Sequence, residues 1–349
     1  MQKIFNRNDF VLCEVPVPNG YKQSQTHVGV SSYKDVTFLT TSPYPVQKET
    51  KLAVYFKAVI RKLSCNRLFK QFIPEQWENP CLYISANIQD HYPTRFELLQ
   101  KTPLMSPPDP YYGLPAYNSD PDLLIEDGVV HVLNRSVFRI PQTSKEQQNN
   151  YVVRLYHIYG IVDKNQFKYE GTELLFESDR NVISPCMTKY NGMYVMTELE
   201  TNSYNDGKSY NGLYIARSKS IADFRNKIEW KGINVDCLEY LPWHMSLFQV
   251  EGVMYTVISC VKKGISHRCF QLLGVFNNDL SKLKIYKTPL TDFNSYRGSA
   301  FVTKEGEFVL YSTTVNEFIK GSKSIDGRDV ILAHMPFLKM MTLLNDFER

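Results

Sequence analysis

The sequence repeats one unit of supersecondary structure five times along its length. Each copy begins with polar residues, continues as an apolar strand, turns at a pair containing Gly or Asp, and returns as a second apolar or aromatic strand. The copies begin at Thr26, Ser119, Ser184, Trp243 and Tyr296, roughly 50 to 90 residues apart. This repeat limits the fold to architectures in which similar antiparallel units stand side by side.

The turn pairs explain why each copy is expected to be a hairpin. They are Lys34-Asp35, Asp127-Gly128, Asn191-Gly192, Glu251-Gly252 and Glu305-Gly306. The central residues of a two-residue hairpin turn need positive φ angles, which Gly adopts without a Cβ clash and which Asn and Asp tolerate. Lys34-Asp35 is the weakest match to this pattern.

A second unit of strand, polar loop and strand follows three of the hairpins. It reads CLYISANIQDHYPTRFELLQKTPL, NGLYIARSKSIADFRNKIEW and CFQLLGVFNNDLSKLKIYKTPL. Five repeats of four strands are typical of a propeller, although strand, turn and strand alone would fit a β-sandwich equally well. We therefore predict an all-β fold, a single five-bladed β-propeller domain over 1–349. The N-terminal FVLCEVPV is expected to add a strand to the last blade and so close the ring.

Two segments outside the repeat are expected to be helical. Residues 47–76 form an insertion in the first blade, where Tyr55, Val59 and Leu63 follow a four-residue spacing with basic residues between them. A helix packed on a blade is the simpler interpretation, and a lid or a docking surface is the alternative. The C-terminal tail, 336–349, is expected to form a short helix that caps the ring or mediates self-association.

Composition argues against two classes of partner. Hydrophobic residues make up 43% and charged residues 22%, and no apolar run reaches the length of a membrane span, so no membrane partner is expected. The net charge of +4 is small, and the sequence has no concentrated basic stripe, so no nucleic acid partner is expected.

The cysteines indicate a reducing compartment. They number seven, are scattered through apolar strand-like runs, and include no CxxC pair, which disfavours both a disulfide framework and a structural zinc site. No metal or organic cofactor is predicted. The start, MQKIFNRNDF, lacks the apolar core of a secretory signal, so a cytoplasmic or virion-associated protein is expected.

The blade openings carry a resemblance to a known group of enzymes. SDPDLLI, SPCMTKYNGMYVM, PWHMSLF and YRGSAFV, together with WENPCLYIS, resemble the five-bladed propellers of glycoside hydrolase families 43, 32 and 117, and most of all an uncharacterised branch in bacteria and phage-borne proteins. The resemblance runs from about Thr26 to about Thr314. It implies an axial funnel, lined by the first residues of the innermost strands, where carboxyl groups act as acid and base on a sugar.

Two blade openings depart from the pattern of the resemblance. The first blade of the related branch opens with His, Pro and Asp, whereas this sequence has His27, Val28 and Gly29, so the expected base is missing. The third blade of family 43 presents a Glu near the strand start, where this sequence has Ser184 and Pro185. Both departures weaken the expectation of hydrolysis more than the expectation of sugar binding.

Four carboxyl groups are the candidates for catalysis. Asp120 and Asp122 match the acidic position of the second blade, one as the essential carboxylate and the other as a turn or capping group. A capped turn that involves both residues is the alternative. Glu78 and Glu198 are the candidate proton donors, and Arg135 is interpreted as structural.

Six further side chains are candidate contacts for a sugar. Aromatic rings stack on sugar faces, and an arginine at a strand start suits carboxylate or phosphate recognition. Each of the two histidines could equally be a hydrogen-bonded core residue. The candidates are His27, Asn79, Trp243, His244, Tyr296 and Arg297.

Three functions follow from this resemblance and these departures. The first is a glycoside hydrolase-like protein that binds a carbohydrate ligand in the axial funnel and hydrolyses it. The second is a non-catalytic glycan-binding or virion structural module that retains the scaffold, with a virion component or a second copy as partner. The third is a glycan phosphorylase in which His244 and Arg297 hold phosphate.

Overall fold

The computed structural model describes most of the chain. The described residues are 2–43, 78–87, 92–109, 116–140, 151–163, 166–201, 210–225, 229–236, 239–262, 269–291, 293–315, 317, 320–324 and 327–348. The helix expected in the insertion at 47–76 lies outside these residues and stays a prediction.

Strands dominate the described part of the chain. The first is β1 (Val11–Leu12). The first blade contains β2 (Gly29–Tyr33), β3 (Val36–Thr41), β4 (Cys81–Ser85) and β5 (Phe96–Leu98). The second blade contains β6 (Ala116–Glu126), β7 (Val129–Arg139), β8 (Tyr151–Asp163) and β9 (Gln166–Ser178). The third blade contains β10 (Val182–Tyr190), β11 (Met193–Thr201), β12 (Tyr210–Ser218) and β13 (Lys231–Gly232).

The last two blades complete the set. The fourth contains β14 (Asn234–Val235), β15 (Tyr240–Val250), β16 (Val253–Lys262), β17 (Cys269–Phe276) and β18 (Lys282–Ile285). The fifth contains β19 (Ser295–Val302), β20 (Glu307–Thr314) and β21 (Val330–Pro336). Neighbouring strands pair antiparallel within each blade, except that β14 pairs parallel to β18.

The first strands of the meanders form a closed ring. β2 contacts β6, β6 contacts β10, β10 contacts β15, β15 contacts β19, and β19 returns to β2. A ring of five sheets whose inner strands touch in this order is a five-bladed β-propeller. The fold predicted from the sequence is confirmed.

The N-terminal strand closes the ring. β1 pairs antiparallel with β21, with Val11 opposite Leu332 and Leu12 opposite Ile331. The fifth blade therefore takes three strands from the C-terminal end of the chain and one from the N-terminal end, as the sequence predicted. Pairing β1 with the outer side of β21 ties the N-terminal end of the chain to its C-terminal end, and β1 becomes the outermost strand of this blade.

Four of the five hairpin turns have positive φ at both central residues, whereas in the fifth Gly306 has a φ of 82° and Glu305 does not have positive φ. Asp127, Asn191 and Glu251 have φ angles of 50°, 49° and 48°, and each is followed by a glycine that also has positive φ. Lys34 and Asp35, the weakest match, have φ angles of 48° and 64°. Even without glycine, the first hairpin thus keeps the two-residue turn that fits the twist of its strands.

The opposite ends of the innermost strands are irregular. His27, which lies two residues before the start of β2, has a φ of 53°, and Asp120 and Ser184 have φ angles of 53° and 47° in the second and third blades. A bulge disrupts the pairing of each later innermost strand, between Ser119 and Asp122, Ile183 and Cys186, Pro242 and His244, and Ser295 and Gly298. Bulges redirect side chains, so these openings can present polar groups that a regular strand would not.

The apolar core lies between the blades. One cluster joins Leu39 of the first blade to Val309 of the fifth, and another joins Ile183 of the third to Met245 of the fourth. Neighbouring blades therefore hold each other by buried apolar contact, which fixes the relative positions of their openings.

The single α-helix of the described residues follows the last strand. This helix, α1 (Phe337–Phe347), buries Phe337, Met340 and Leu344 against the apolar cluster between the fourth and fifth blades, while Leu338 is exposed. Its presence confirms the short C-terminal helix, and its role in self-association stays a prediction. Among the described residues, no helix is long and apolar enough to cross a membrane.

Candidate functional site

Four side chains from three blades meet where the innermost strands begin. We call His27, Glu78, Asp120 and His244 the histidine cluster. His27 Nδ1 lies 2.6 Å from Glu78 Oε2, and His27 Nε2 lies 2.9 Å from Asp120 Oδ1. His244 Nδ1 lies 3.6 Å from the same Asp120 oxygen. All four residues are buried, so their mutual contacts take the place of water.

The second oxygen of Asp120 has different partners. Arg135 Nη1 donates to Asp120 Oδ2 at 2.7 Å, and the backbone N–H of Ser184 donates to it at 3.2 Å. Burial raises the pKa of Asp120, but His27 and Arg135 outweigh burial and hold that pKa well below its usual range. Asp120 is therefore an ionised carboxylate at neutral pH.

The two histidines of the cluster differ in charge. Burial lowers the pKa of His27, but the carboxylates of Glu78 and Asp120 outweigh it and raise this pKa to about 9. Burial holds the pKa of His244 well below its usual range, and Asp120 opposes this only in part. At neutral pH the cluster thus contains one imidazolium and one neutral imidazole.

Asp122 lies in a separate pair, although it is only two residues from Asp120. We call Asp122 and Arg297 the arginine pair, with Arg297 Nη2 at 2.8 Å from Asp122 Oδ1. Arg297 also donates to the carbonyl of Pro121, and the N–H of Met187 donates to Asp122 Oδ2 at 2.9 Å. Burial raises the pKa of Asp122 to about 6, while Arg297 opposes that rise.

The contacts of the two aspartates reach beyond their own turn. Asp122 receives hydrogen bonds from Arg297 of the fifth blade and Met187 of the third, and Asp120 receives them from Ser184 of the third. A local capped turn would keep these contacts within the second blade. The two carboxylates instead connect several blades around the axis.

Glu198 lies on β11 and forms its ion pair with Arg180. Arg180 Nη2 lies 2.6 Å from Glu198 Oε1, and Arg180 Nη1 lies 3.0 Å from Glu200 Oε2. Glu198 is fully buried, and its Oε2 has no hydrogen-bond partner among the described residues. Burial raises the pKa of Glu198 to about 7, against the opposing charge of Arg180.

Two aromatic side chains flank the histidine cluster. The ring centroid of Tyr296 lies 5.0 Å from that of His27 and 4.6 Å from that of His244. The Trp243 ring lies 5.7 Å from His244, and its side chain hydrogen-bonds Tyr296. Trp243 and Tyr296 are only partly buried, so both can offer aromatic surface to a ligand.

Asn79 has a hydrogen-bonding role within the fold. Its side-chain amide donates to the Tyr21 hydroxyl at 2.9 Å, and its carbonyl oxygen accepts from Asn118 at 2.9 Å. Asn79 is fully buried. Its polar atoms are therefore used in joining the first and second blades.

Arg135 is a site residue whose role the sequence did not indicate. The sequence analysis interprets Arg135 as structural, whereas its guanidinium contacts Asp120. The signal for its position lies in the register of the second-blade hairpin, because counting back from the turn at Asp127 brings Arg135 opposite Ser119, next to Asp120.

Gly29 explains one departure from the resemblance. A Cβ atom at this position would lie 2.9 Å from Thr40 Cγ2 and 3.3 Å from the backbone nitrogen of Leu123. A side chain at this position would therefore require Thr40 on β3 and the backbone of β6 to shift. In this protein His27, two residues earlier, supplies the polar group that meets Asp120.

Comparison with solved structures gives propellers of similar fold. The chain is similar to an N-acetylgalactosamine deacetylase from F. plautii in complex with blood group B trisaccharide, with a TM-score of 0.62 and 12% identity over 100% of this chain and 97% of that chain. It is also similar to an alpha-L-arabinofuranosidase from Podospora anserina in complex with cellotriose, with a TM-score of 0.58 and 8% identity over 96% of each chain. A GH43_1 enzyme from Xanthomonas citri complexed with xylose gives a TM-score of 0.54 and 11% identity over 93% of this chain and 90% of that chain.

These likenesses show the fold. No protein-family model matches the sequence, and no curated protein matches it. The function must therefore be argued from the site itself.

Proposed function

We propose that this protein binds a glycan at the end of the propeller where the histidine cluster lies. The observation that carries this proposal is the meeting of polar and aromatic side chains there. Charged groups of the histidine cluster lie beside the partly exposed rings of Trp243 and Tyr296. Aromatic faces that stack on sugar rings, next to donors and acceptors for hydroxyl groups, are a common way to recognise a carbohydrate.

The structural comparisons support this choice of ligand. The three similar propellers carry in their descriptions a trisaccharide, cellotriose and xylose. A protein of this fold can thus hold sugars that range from one residue to three. The low identities leave the sugar that this chain prefers to be found by experiment.

Hydrolysis of a glycosidic bond is a second candidate function. It is favoured by two carboxyl groups whose pKa values are shifted in opposite directions. Asp120 has a pKa held well below its usual range, whereas the pKa of Glu198 is raised to about 7. Glycosidases pair an ionised carboxylate with a protonated carboxyl group that donates to the leaving oxygen. In this mechanism Asp120 would act as base or nucleophile and Glu198 as proton donor.

Two arginine–carboxylate ion pairs favour glycan binding without catalysis. Arg297 contacts Asp122, and Arg180 contacts Glu198. A guanidinium remains protonated and holds its carboxylate in a fixed geometry, which hinders proton transfer to a substrate. Binding requires only that a sugar reach the partly exposed rings of Trp243 and Tyr296 beside the cluster.

Glycan-array binding followed by titration tests the proposed ligand class. We expect the wild-type protein to bind at least one oligosaccharide, and Trp243→Ala to weaken that binding by about tenfold through loss of stacking. Tyr169→Ala is the matched control, because Tyr169 is an exposed aromatic residue on β9 of the second blade. Equal affinity of wild type and Trp243→Ala would contradict the proposal.

A hydrolysis assay on the bound oligosaccharide separates the two forms of the proposal. Asp120→Asn and Glu198→Gln should each lower turnover by about a hundredfold or more if the two carboxyl groups cleave the bond. Binding without any released sugar supports the non-catalytic form. Turnover that neither variant reduces would exclude both residues from the mechanism.

A further inference from the structure

Three potential metal ligands converge within the histidine cluster. They are one nitrogen each from His27 and His244 and one oxygen from Asp120, and all three atoms lie within 4.8 Å of one another. They come from the openings of the first, fourth and second blades, which lie far apart in the sequence. The fold therefore assembles a set of two imidazoles and one carboxylate at a single buried point.

His244 indicates that this point is incomplete without a ligand. The residue is 2% exposed, and neither Nδ1 nor Nε2 has a hydrogen-bond partner among the described residues. A buried polar atom left without a partner costs about 1–3 kcal/mol. An imidazole nitrogen that carries no proton has a lone pair, and a bound cation would give that nitrogen a partner.

The ring nitrogens of His27 likewise have no hydrogen bond of good geometry among the described residues, but they lie in close contact with charged groups. Glu78 lies 2.6 Å from His27 Nδ1, which directs Nε2 toward Asp120. Arg135 and the Ser184 amide occupy Asp120 Oδ2, so Oδ1 is the oxygen that faces the two imidazoles. A carboxylate that orients a metal-binding histidine through its second nitrogen is a recurrent feature of metal sites.

We propose that His27, Asp120 and His244 bind one divalent transition metal ion. Tetrahedral ligands at about 2.0–2.1 Å from zinc lie about 3.3 Å from each other. The separations of 2.9 Å and 3.6 Å from Asp120 Oδ1 to the two histidines bracket this value. The ion would lie between His27 Nε2 and Asp120 Oδ1.

The ligand set selects the class of metal. Imidazole nitrogens suit zinc, iron, copper and nickel, whereas calcium and magnesium prefer oxygen ligands throughout. Three protein ligands leave at least one coordination position for water or for an oxygen of a bound molecule. This inference differs from the sequence-based expectation that no metal is needed, and it does not depend on glycan binding.

Metal content measured on the full chain tests the site without any sugar. After dialysis against Zn²⁺ and then metal-free buffer, mass spectrometry of the protein should find about one zinc per chain. His244→Ala should lower zinc affinity by at least a hundredfold in a competition titration. His334→Ala is the matched control, because His334 is a partly exposed histidine on β21 of the fifth blade, and it should bind zinc as the wild type does.

A second variant and a spectroscopic probe keep the test decisive if His244→Ala does not fold. Circular dichroism checks each variant, and should His244→Ala not fold, Glu78→Gln decides, with an expected loss of affinity of about 10- to 100-fold. Co²⁺ in place of Zn²⁺ should give visible absorption bands that His244→Ala or Glu78→Gln alters. Zinc content near zero in the wild type, or unchanged affinity in the folded variants, would overturn the proposal. Preference for Ca²⁺ over Zn²⁺ would overturn the assignment to a transition metal.

Discussion

Asp120 and Asp122 lie two residues apart on one strand, yet their surroundings differ in kind. Asp120 belongs to the histidine cluster, where its Oδ1 faces two imidazoles. Asp122 belongs to the arginine pair, where Arg297 and a backbone amide satisfy its oxygens. An imidazole can lose its proton at ordinary pH, whereas a guanidinium cannot. The first environment can therefore exchange protons or bind a ligand, and the second mainly holds the blades together.

Removing the arginine should give the largest effect on stability. Arg297→Met leaves Asp122 buried without its cationic partner, and we expect the free energy of unfolding to fall by about 3–5 kcal/mol. Urea unfolding followed by fluorescence measures this change. Lys304→Met is the control for losing an ion pair, because Lys304 contacts Asp35 at the exposed surface and should matter by less than about 1 kcal/mol. Similar losses in both variants would mean that the arginine pair has no special structural role.

The pH dependence of stability tests whether Glu198 still titrates while it is paired with Arg180. Its folded pKa of about 7 exceeds its ordinary value of 4.5, so the folded state binds the proton more tightly than the unfolded state. The stability from this proton is present below pH 4.5 and is lost as pH rises through 7. Relative to Glu198→Gln, the wild type should therefore lose on the order of 2 kcal/mol between pH 5 and pH 7.

Urea unfolding of both proteins at pH 5, 6 and 7 measures this difference. Arg180, Glu200 and Tyr214 surround Glu198, and they are present in both proteins. Comparing the two curves therefore isolates the titration of one carboxyl group. Curves that stay parallel across this range would show that Arg180 keeps Glu198 ionised throughout.

Substitution of Gly29 should have a smaller effect on stability, because this residue packs against the strand that carries both aspartates. A methyl group here would press on Thr40 and on the backbone of Leu123, next to Asp122. Gly29→Ala should therefore lower the free energy of unfolding by about 1–2 kcal/mol. Gly232→Ala is the matched control, since a Cβ there meets nothing within 4 Å, and it should be neutral or slightly stabilising. No difference between the two alanine variants would show that the blades adjust freely.

The fold was predictable from the sequence because its signals are local. The turn pairs specify hairpins by themselves, and the repetition of those hairpins specifies a ring. The strand at Val11–Leu12 also followed from this logic, since a ring needs its last blade completed. The openings of the blades can be located in the same way, and this is sufficient to identify His27, Asp120 and His244 as candidates.

The partners within the site could not be predicted, because they depend on packing between blades. Arg297 and Asp122 are 175 positions apart, and their contact exists only once the fifth and second blades meet at the axis. Nor does the pattern Ser-Asp-Pro-Asp indicate which of the two aspartates faces the histidines. That difference arises from the bulge and the positive φ at Asp120, which redirect one of two neighbouring side chains.

A crystal structure of the protein with the oligosaccharide selected by glycan array tests the central claim most directly. We expect sugar density at the axial end of the ring, in contact with Trp243 or Tyr296 and within hydrogen-bonding distance of the histidine cluster. Density seated instead on an outer surface, for example in the cavity lined by Arg217, Asp223 and Asp279, would contradict the account.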